Sequence, residues 1–230
     1  MQTHQLSWSA VNGWRTSGAD LAKADLVLYF GLRSALADGA RYRELRDMFA
    51  QAHVVGCSTG GQIRNDDVDD DIAAVAVHFE RTRLGLACEA VPMPSHSRSC
   101  GEAIGRALAA PDLAGIFVLS DGLNVNGSEL VAGIAGVVGA KIPLTGGLAG
   151  DSALFEQTLV GADCAPQSGR VAAIGFYGTA IRIGHGSAGG WDEFGPRRRI
   201  TRASGNVLHE LDGEPALDLY ERYLGEEDAG

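Results

Sequence analysis

Ala73-Ala74-Val75-Ala76-Val77, running on through Arg83-Leu84-Gly85, decides the fold, because the chain repeats it. Ala172-Ala173-Ile174-Gly175-Phe176 runs on through Arg182-Ile183-Gly184 with the same internal spacing, 99 residues later. Working outward, each copy follows a Thr-Gly-Gly, Thr59-Gly60-Gly61 in the first and Thr145-Gly146-Gly147 in the second. Further upstream lies an apolar run ending in Gly-Leu, Leu26 to Leu32 and Ile116 to Leu123, followed by a helix-like stretch. Recurrence of these features in one order predicts a pseudo-symmetric duplication of a β-α-β-β-β unit. The fold class is α/β, with mixed sheets joined by helical crossovers. An α-β-β-α layering is one arrangement that would bury both sheets.

Composition narrows the function classes. The 230 residues carry a formal charge of -10, which argues against a nucleic-acid surface. The one basic cluster, Arg197-Arg198-Arg199, reads as a short edge strand with a solvated face. Glycine, at 32 residues, is about twice its usual share and implies many tight turns or close backbone approaches. Cys57, Cys88, Cys100 and Cys164 have neither C-x-x-C nor zinc spacing, so no metal is expected. With no apolar leader and no stretch of 18 uncharged apolar residues, the chain is expected to be cytoplasmic, with no membrane insertion.

Along the chain, residues 1 to 23 are polar, with Trp8 and Trp14 as packing anchors. Strands are expected at Asp25–Phe30 and His53–Cys57, flanking a helix over 34–50. Asn65 to Asp71 reads as an acidic solvated turn without an EF-hand pattern. Ile72–Phe79 and Thr82–Cys88 read as a hairpin. Ser99 and Glu102 form a capping box for a helix with Ala103, Ile104, Ala107 and Leu108 inward, ended by Pro111. After a strand at Ile116–Leu119, Asn126 and Glu129 repeat the capping pattern ahead of Leu130, Val131, Ile134, Val137 and Val138. A last helix spans Pro215 to Leu224, with Gly225 past its end.

Three loops carry candidate chemistry. In Gly56-Cys57-Ser58-Thr59-Gly60-Gly61 the hydroxyls and backbone N–H groups suit a carboxylate or other small anion. Cys57 is also a candidate nucleophile with His53 as base, the pair a cysteine-dependent hydrolase would need. Asp121, at the end of a strand, suits an ammonium group, as does Asp151 after Thr145-Gly146-Gly147. Two acids facing a hydroxyl-rich loop are the chemistry of zwitterion recognition, and equally of ordinary Asx turns. His185, on an apolar strand face, is either a packed core or rim residue or a haem ligand. Leu217, Tyr220 and Leu224 form a helical stripe that needs a partner, which predicts a homodimer.

Val54 to Ile63, Pro143 to Asp151 and Leu211-Asp212-Gly213-Glu214-Pro215-Ala216 together resemble the FIST family of bacterial sensory domains. The first two stretches resemble its amino-terminal domain and the third the start of its carboxyl-terminal domain. The resemblance implies an amino-terminal-like domain over 20–210 and the beginning of a truncated or vestigial second domain over 211–230. It implies a non-catalytic module of signal transduction that binds an amino acid or similar small zwitterion and works with a signalling protein such as a kinase or cyclase. One branch of the family is similar to haem-binding nitric-oxide sensors, which makes haem b the alternative cofactor and His185 its candidate ligand.

Overall fold

Leu26-Val27-Leu28-Tyr29-Phe30-Gly31 alternates between two apolar cores rather than between a core and water. Val27 and Tyr29 face a helical layer, whereas Leu26, Leu28 and Phe30 face a second sheet. A strand covered on both faces has to be apolar throughout. The computed structural model describes residues 1–16, 23–64, 67–69, 72–186, 189, 193, 195–205 and 207–224.

The described residues fall into two units, 1–185 and 186–230. The first contains β1 (Gln2–Ser9), β2 (Gly13–Thr16), β3 (Leu26–Gly31), α1 (Arg33–Leu36), α2 (Ala40–Met48), β4 (His53–Ser58), β5 (Gln62–Arg64) and β6 (Asp67–Asp69). It continues with β7 (Ile72–His78), β8 (Arg83–Ala90), α3 (Ser97–Leu108), β9 (Leu113–Ser120), α4 (Gly127–Val138), β10 (Leu144–Leu148), β11 (Val160–Ala162) and β12 (Arg170–Tyr177). A six-stranded sheet has the order β11-β4-β3-β7-β1-β2, and a four-stranded sheet the order β10-β9-β12-β8. Leu36, Leu45 and Phe49 seal the outer face of the first sheet, and Cys100, Ile104, Leu108, Leu130 and Ile134 that of the second. Between the sheets, Leu26, Val55 and Val77 share a core with Leu119, Ala172, Ile174 and Phe176. The layering is α-β-β-α.

The duplication is written in the strand pairing. Tyr29 lies between Gly56 and Ala74, and Val118 lies between Gly146 and Ala173. β1 then flanks β7 as β8 flanks β12. The repeated unit is therefore β-β-α-β-β, not the expected β-α-β-β-β. β7 and β8 do not form a hairpin; they enter different sheets, and Arg182-Ile183-Gly184 is chain outside any strand. The Thr-Gly-Gly match also misleads by four residues. Thr59 N donates to Gly31 O at 3.0 Å, and the counterpart bond runs from Ala149 N to Ser120 O at 2.8 Å, so Thr59 corresponds to Ala149.

Helix details shift for identifiable reasons. α3 begins at Ser97, whose hydroxyl donates to Pro94 O and accepts from Asn126 N, both within 2.8 Å. The Ser99 hydroxyl donates to His96 O instead of capping, so the Ser99–Glu102 box does not form. The buried stripe is Cys100, Gly101, Ile104, Gly105 and Leu108, because α3 and α4 touch through glycine. A Cβ on Gly101 would sit 2.2 Å from Leu130 O, and one on Gly133 would sit 2.2 Å from Arg98 O. Asn126 does cap α4, accepting from Glu129 N at 3.2 Å. In the first half Gly39, at φ +67°, divides the expected 34–50 helix into α1 and α2. Trp8 and Trp14 pair across a β1–β2 hairpin and pack on the outer core, an anchor without the strands in the sequence reading. Of the acidic 65–71 stretch, Asp67–Asp69 is a strand, and residues 65, 66, 70 and 71 lie outside the described residues.

The second unit holds β13 (Ile200–Ser204), β14 (Val207–Leu211), β15 (Glu214–Pro215) and α5 (Ala216–Leu224). Asp212 and Gly213, at φ +53° and +85°, turn β14 into β15, so a boundary at 210/211 falls inside a paired hairpin. The Asp212 carboxylate accepts from Arg199 N and Arg198 Nη1, which places Arg197–Arg199 in the chain before β13 rather than in an edge strand. On α5 the inward residue is Leu219, while Leu217 is 56 % exposed. The predicted Leu217-Tyr220-Leu224 stripe is thus rotated, and the Leu224 side chain and Gly225 lie outside the described residues. No helix among the described residues is long and apolar enough to cross a membrane.

Candidate functional site

The loop after β4 holds the chain together. Cys57 points into the core between the sheets, where burial pushes its thiol up to about 12. The proposed base is four residues away on the same strand, about 13 Å at the rise of an extended chain. His53 is moreover engaged by Asp163, with Nδ1 2.7 Å from Oδ2. Cys57 and His53 therefore do not form a nucleophile–base pair. Ser58 is fully buried, its Oγ accepting from Leu159 N at 2.9 Å, and Thr59 Oγ1 accepts from Gln62 Nε2. Gly60 packs on another loop, where a Cβ would lie 3.4 Å from Ser152 Cα.

The two acids are organisers of backbone. Asp121 is fully buried and accepts from Leu123 N, Asn124 N and Gly169 N, and from the Asn124 amide and the Ser168 hydroxyl. Burial pushes its carboxyl up, but the N–H groups of Gly169, Asn124 and Leu123 and the Ser168 hydroxyl outweigh this and hold it below the usual range. Asp151 accepts from Phe155 N, Glu156 N and Gln157 N. The Gln157 N–H is the strongest influence lowering its carboxyl pKa, and Arg33, 3.8 Å away, acts in the same direction. With their oxygens engaged internally, Asp121 and Asp151 are the Asx-turn alternative and do not face a ligand ammonium together.

The structure does bring Thr145, Gly146, Gly147 and His185 together. They line one groove of about 280 Å³ between α4 and β10. Leu130, Val131 and Ile134 from α4, Val118 from β9, and Leu144 and Leu148 from β10 make it mainly apolar. Thr145 Oγ1 lies 3.0 Å from His185 Nδ1, and the two form a polar rim, with the buried Ser120 also in the lining. Glycines 146 and 147 leave the strand bare, so a ligand can approach its backbone. Sequence reasoning missed the apolar wall. Helical period groups Val131 with Leu130 as core, yet it is 49 % exposed and faces the groove. A wider depression of about 520 Å³, on the face of β1, β3 and β7, has no titratable side chain and no candidate binding or catalytic residue in its lining.

The groove does not fit haem. His185 is exposed at the rim of a space below the 300 to 1,000 Å³ typical of pockets for much smaller ligands. Among the described residues no second haem-ligating side chain lines it. No group of three His, Cys, Asp or Glu side chains suited to a metal ion occurs among the described residues.

Comparison with known families bears on the same residues. The FIST N domain pattern matches residues 25–214, which include the four-stranded sheet, the six-stranded sheet except β1 and β2, the groove and the turn at Asp212. The chain belongs to the FIST family. FIST domains are generally sensory domains of signal transduction. The chain is also 26% identical over 231 aligned positions to an uncharacterized protein of Methanocaldococcus jannaschii, covering 89% of this chain and 41% of that protein. This FIST domain thus spans about two fifths of that archaeal relative's length.

Proposed function

We propose that this FIST domain senses a small molecule with an apolar body and a polar head, such as an amino acid with an apolar side chain, in the groove between α4 and β10. The observation that carries the reading is the convergence of Thr145, Gly146, Gly147 and His185 on an apolar wall. In such a complex the apolar body packs on Leu130, Val131 and Leu148. The head meets the Thr145 hydroxyl and the His185 ring. Asp121 and Asp151, whose oxygens are engaged by backbone N–H groups, take no part. Because α4 forms one wall, occupancy changes the packing of a helix that a signalling protein such as a kinase or cyclase can read.

Titration calorimetry and melting shifts with leucine, valine and glutamate test this. Ligand at 100 times its Kd adds about 2.7 kcal/mol, or about 5–10 °C in Tm for a domain of this size. The apolar amino acids are expected to raise Tm and glutamate to have little effect. Val131→Trp fills the groove and should abolish the shift, and His185→Ala should weaken it. A shift undiminished by Val131→Trp, or no shift with any apolar amino acid, defeats the reading.

A further inference from the structure

The same strand edge is covered in the first half of the molecule and open in the second. On β4, Val160, Gly161 and Ala162 lie opposite Cys57, Gly56 and Val55 in antiparallel pairing. Ser58 N donates to Leu159 O and Asp163 N to Val54 O, each at 2.9 Å, so β11 satisfies the outward backbone of this edge. On β10, Pro143 O accepts from Ile116 N at 2.9 Å and Ala149 N donates to Ser120 O at 2.8 Å. Odd-numbered residues therefore bond to β9, and the alternation of a parallel ladder turns the N–H and C=O of Leu144, Gly146 and Leu148 outward. Among the described residues no strand pairs with that edge. Its five residues contain no charge and no proline, the usual protections of an exposed edge.

We propose that β10 pairs antiparallel with β10 of a second copy of this chain, about a two-fold axis at Gly146. What covers the equivalent edge identifies the occupant. A two-fold at Gly146 sets Thr145, Gly146 and Gly147 of the second copy opposite Gly147, Gly146 and Thr145. These three correspond by ladder position to Cys57, Gly56 and Val55, which face Val160, Gly161 and Ala162. Thr-Gly-Gly from a second copy thus replaces Val-Gly-Ala: a β-branched residue, a glycine and a minimal residue, in the same order and direction. The outward residues Leu144, Gly146 and Leu148 read the same in both directions, as a self-complementary contact requires. The two four-stranded sheets become one continuous sheet, and three N–H and three C=O groups on each copy gain partners. Leu148, 57 % exposed, is covered. The second copy also supplies the wall that the groove lacks along β10, so the contact moves from the α5 stripe to the candidate site.

Light scattering with gel filtration, together with hydrogen exchange over a dilution series, tests the pairing on the whole chain. The expected particle has twice the 24.0 kDa mass of the chain. Leu148→Lys is expected to weaken the dimer at least tenfold while the circular dichroism spectrum stays unchanged. In the unaltered chain, exchange at the Leu144, Gly146 and Leu148 amides should slow with rising concentration, whereas Thr145 and Gly147, already bonded to β9, should not respond. If Leu148→Lys fails to fold, the exchange pattern decides alone. A monomer at every concentration overturns the proposal and leaves the edge to a strand of another protein. A dimer that ignores Leu148→Lys, or whose β10 amides ignore concentration, overturns it equally. Loss of the ligand response with the dimer intact would instead remove the sensing reading.

Discussion

The end of β4 and the end of β10 occupy the same place in two copies of one unit, and they have diverged in opposite directions. The first is closed: β11 lies on its edge, the Cys57 thiol is in the core, and the Ser58 hydroxyl fixes Leu159 N. The second is open: Gly146 and Gly147 are bare, Leu148 is exposed, and a groove runs beside it. The half that looks chemically equipped, with a thiol and two hydroxyls in a row, is the structural one. Internal hydrogen bonds consume its polar groups, whereas the half with little side-chain chemistry retains a surface on which a ligand or strand can lie.

Substituting the central glycines breaks the comparison most severely. A Cβ on Gly146 would lie 1.8 Å from Val118 O, and its φ of +145° also disfavours other residues. A Cβ on Gly56 would lie 2.3 Å from Tyr29 O and 2.5 Å from the Tyr29 ring, at a backbone conformation open to any residue. Gly146→Ala is expected to cost about 3 kcal/mol or more and Gly56→Ala about 2 kcal/mol. On a chain of this size, 3 kcal/mol lowers Tm by about 6–12 °C. Equal melting temperatures for the two variants would mean that the halves are not held by the same rule.

Asp121 is a second point of divergence. By ladder position its counterpart is Leu32, which leads straight into α1, whereas Asp121 holds a turn through Leu123 and Asn124 and a contact to Gly169. Asp121→Ala leaves these buried N–H groups without an acceptor and should cost about 2–3 kcal/mol. It should do so without ligand, as thermal melts of the purified chain will reveal. Asp121, Asp151 and Asp163 all have lowered pKa values in the folded state. The unfolded chain therefore binds protons first on acidification. The stability they supply is full above the ordinary aspartate value, about 3.9, and is lost as pH falls through the folded values. Acid unfolding below about pH 4 should be less steep in Asp121→Asn; an unchanged profile would remove Asp121 from the acid transition.

How much of this was legible in the sequence follows from what each signal measures. The repeat at Ala73 and Ala172 was real because ladder position constrains small residues next to Tyr29 and Val118. Thr-Gly-Gly was not, since its composition recurs without its ladder position. Period alone places β7 and β8 in a hairpin, because alternation records which face is buried and not which strand is the neighbour. The α3 stripe is not legible from hydropathy because glycine carries no hydropathy signal, although Gly101 and Gly133 bring the two helices into contact. At the site, Thr145, Gly146, Gly147 and His185 could be named from the sequence. The saturation of Asp121 could not, because the N–H of Gly169 comes from 48 residues away.

The smallest effect expected concerns Cys57, whose ladder counterpart is Gly147. If the first half is purely structural, this thiol is shielded by apolar packing and by a pKa pushed up to about 12, and thiolate is scarce at neutral pH. Alkylation with iodoacetamide, followed by peptide mapping, should then label Cys164 first, since it is half-buried on the loop after β11. Cys57 should react only as fast as the fold opens, and low denaturant should accelerate it more than Cys164. Cys57→Ala should cost about 1 kcal/mol, with any ligand response retained. A Cys57 labelled before Cys164 in the native protein would reverse the comparison and make the thiol-bearing half the reactive one.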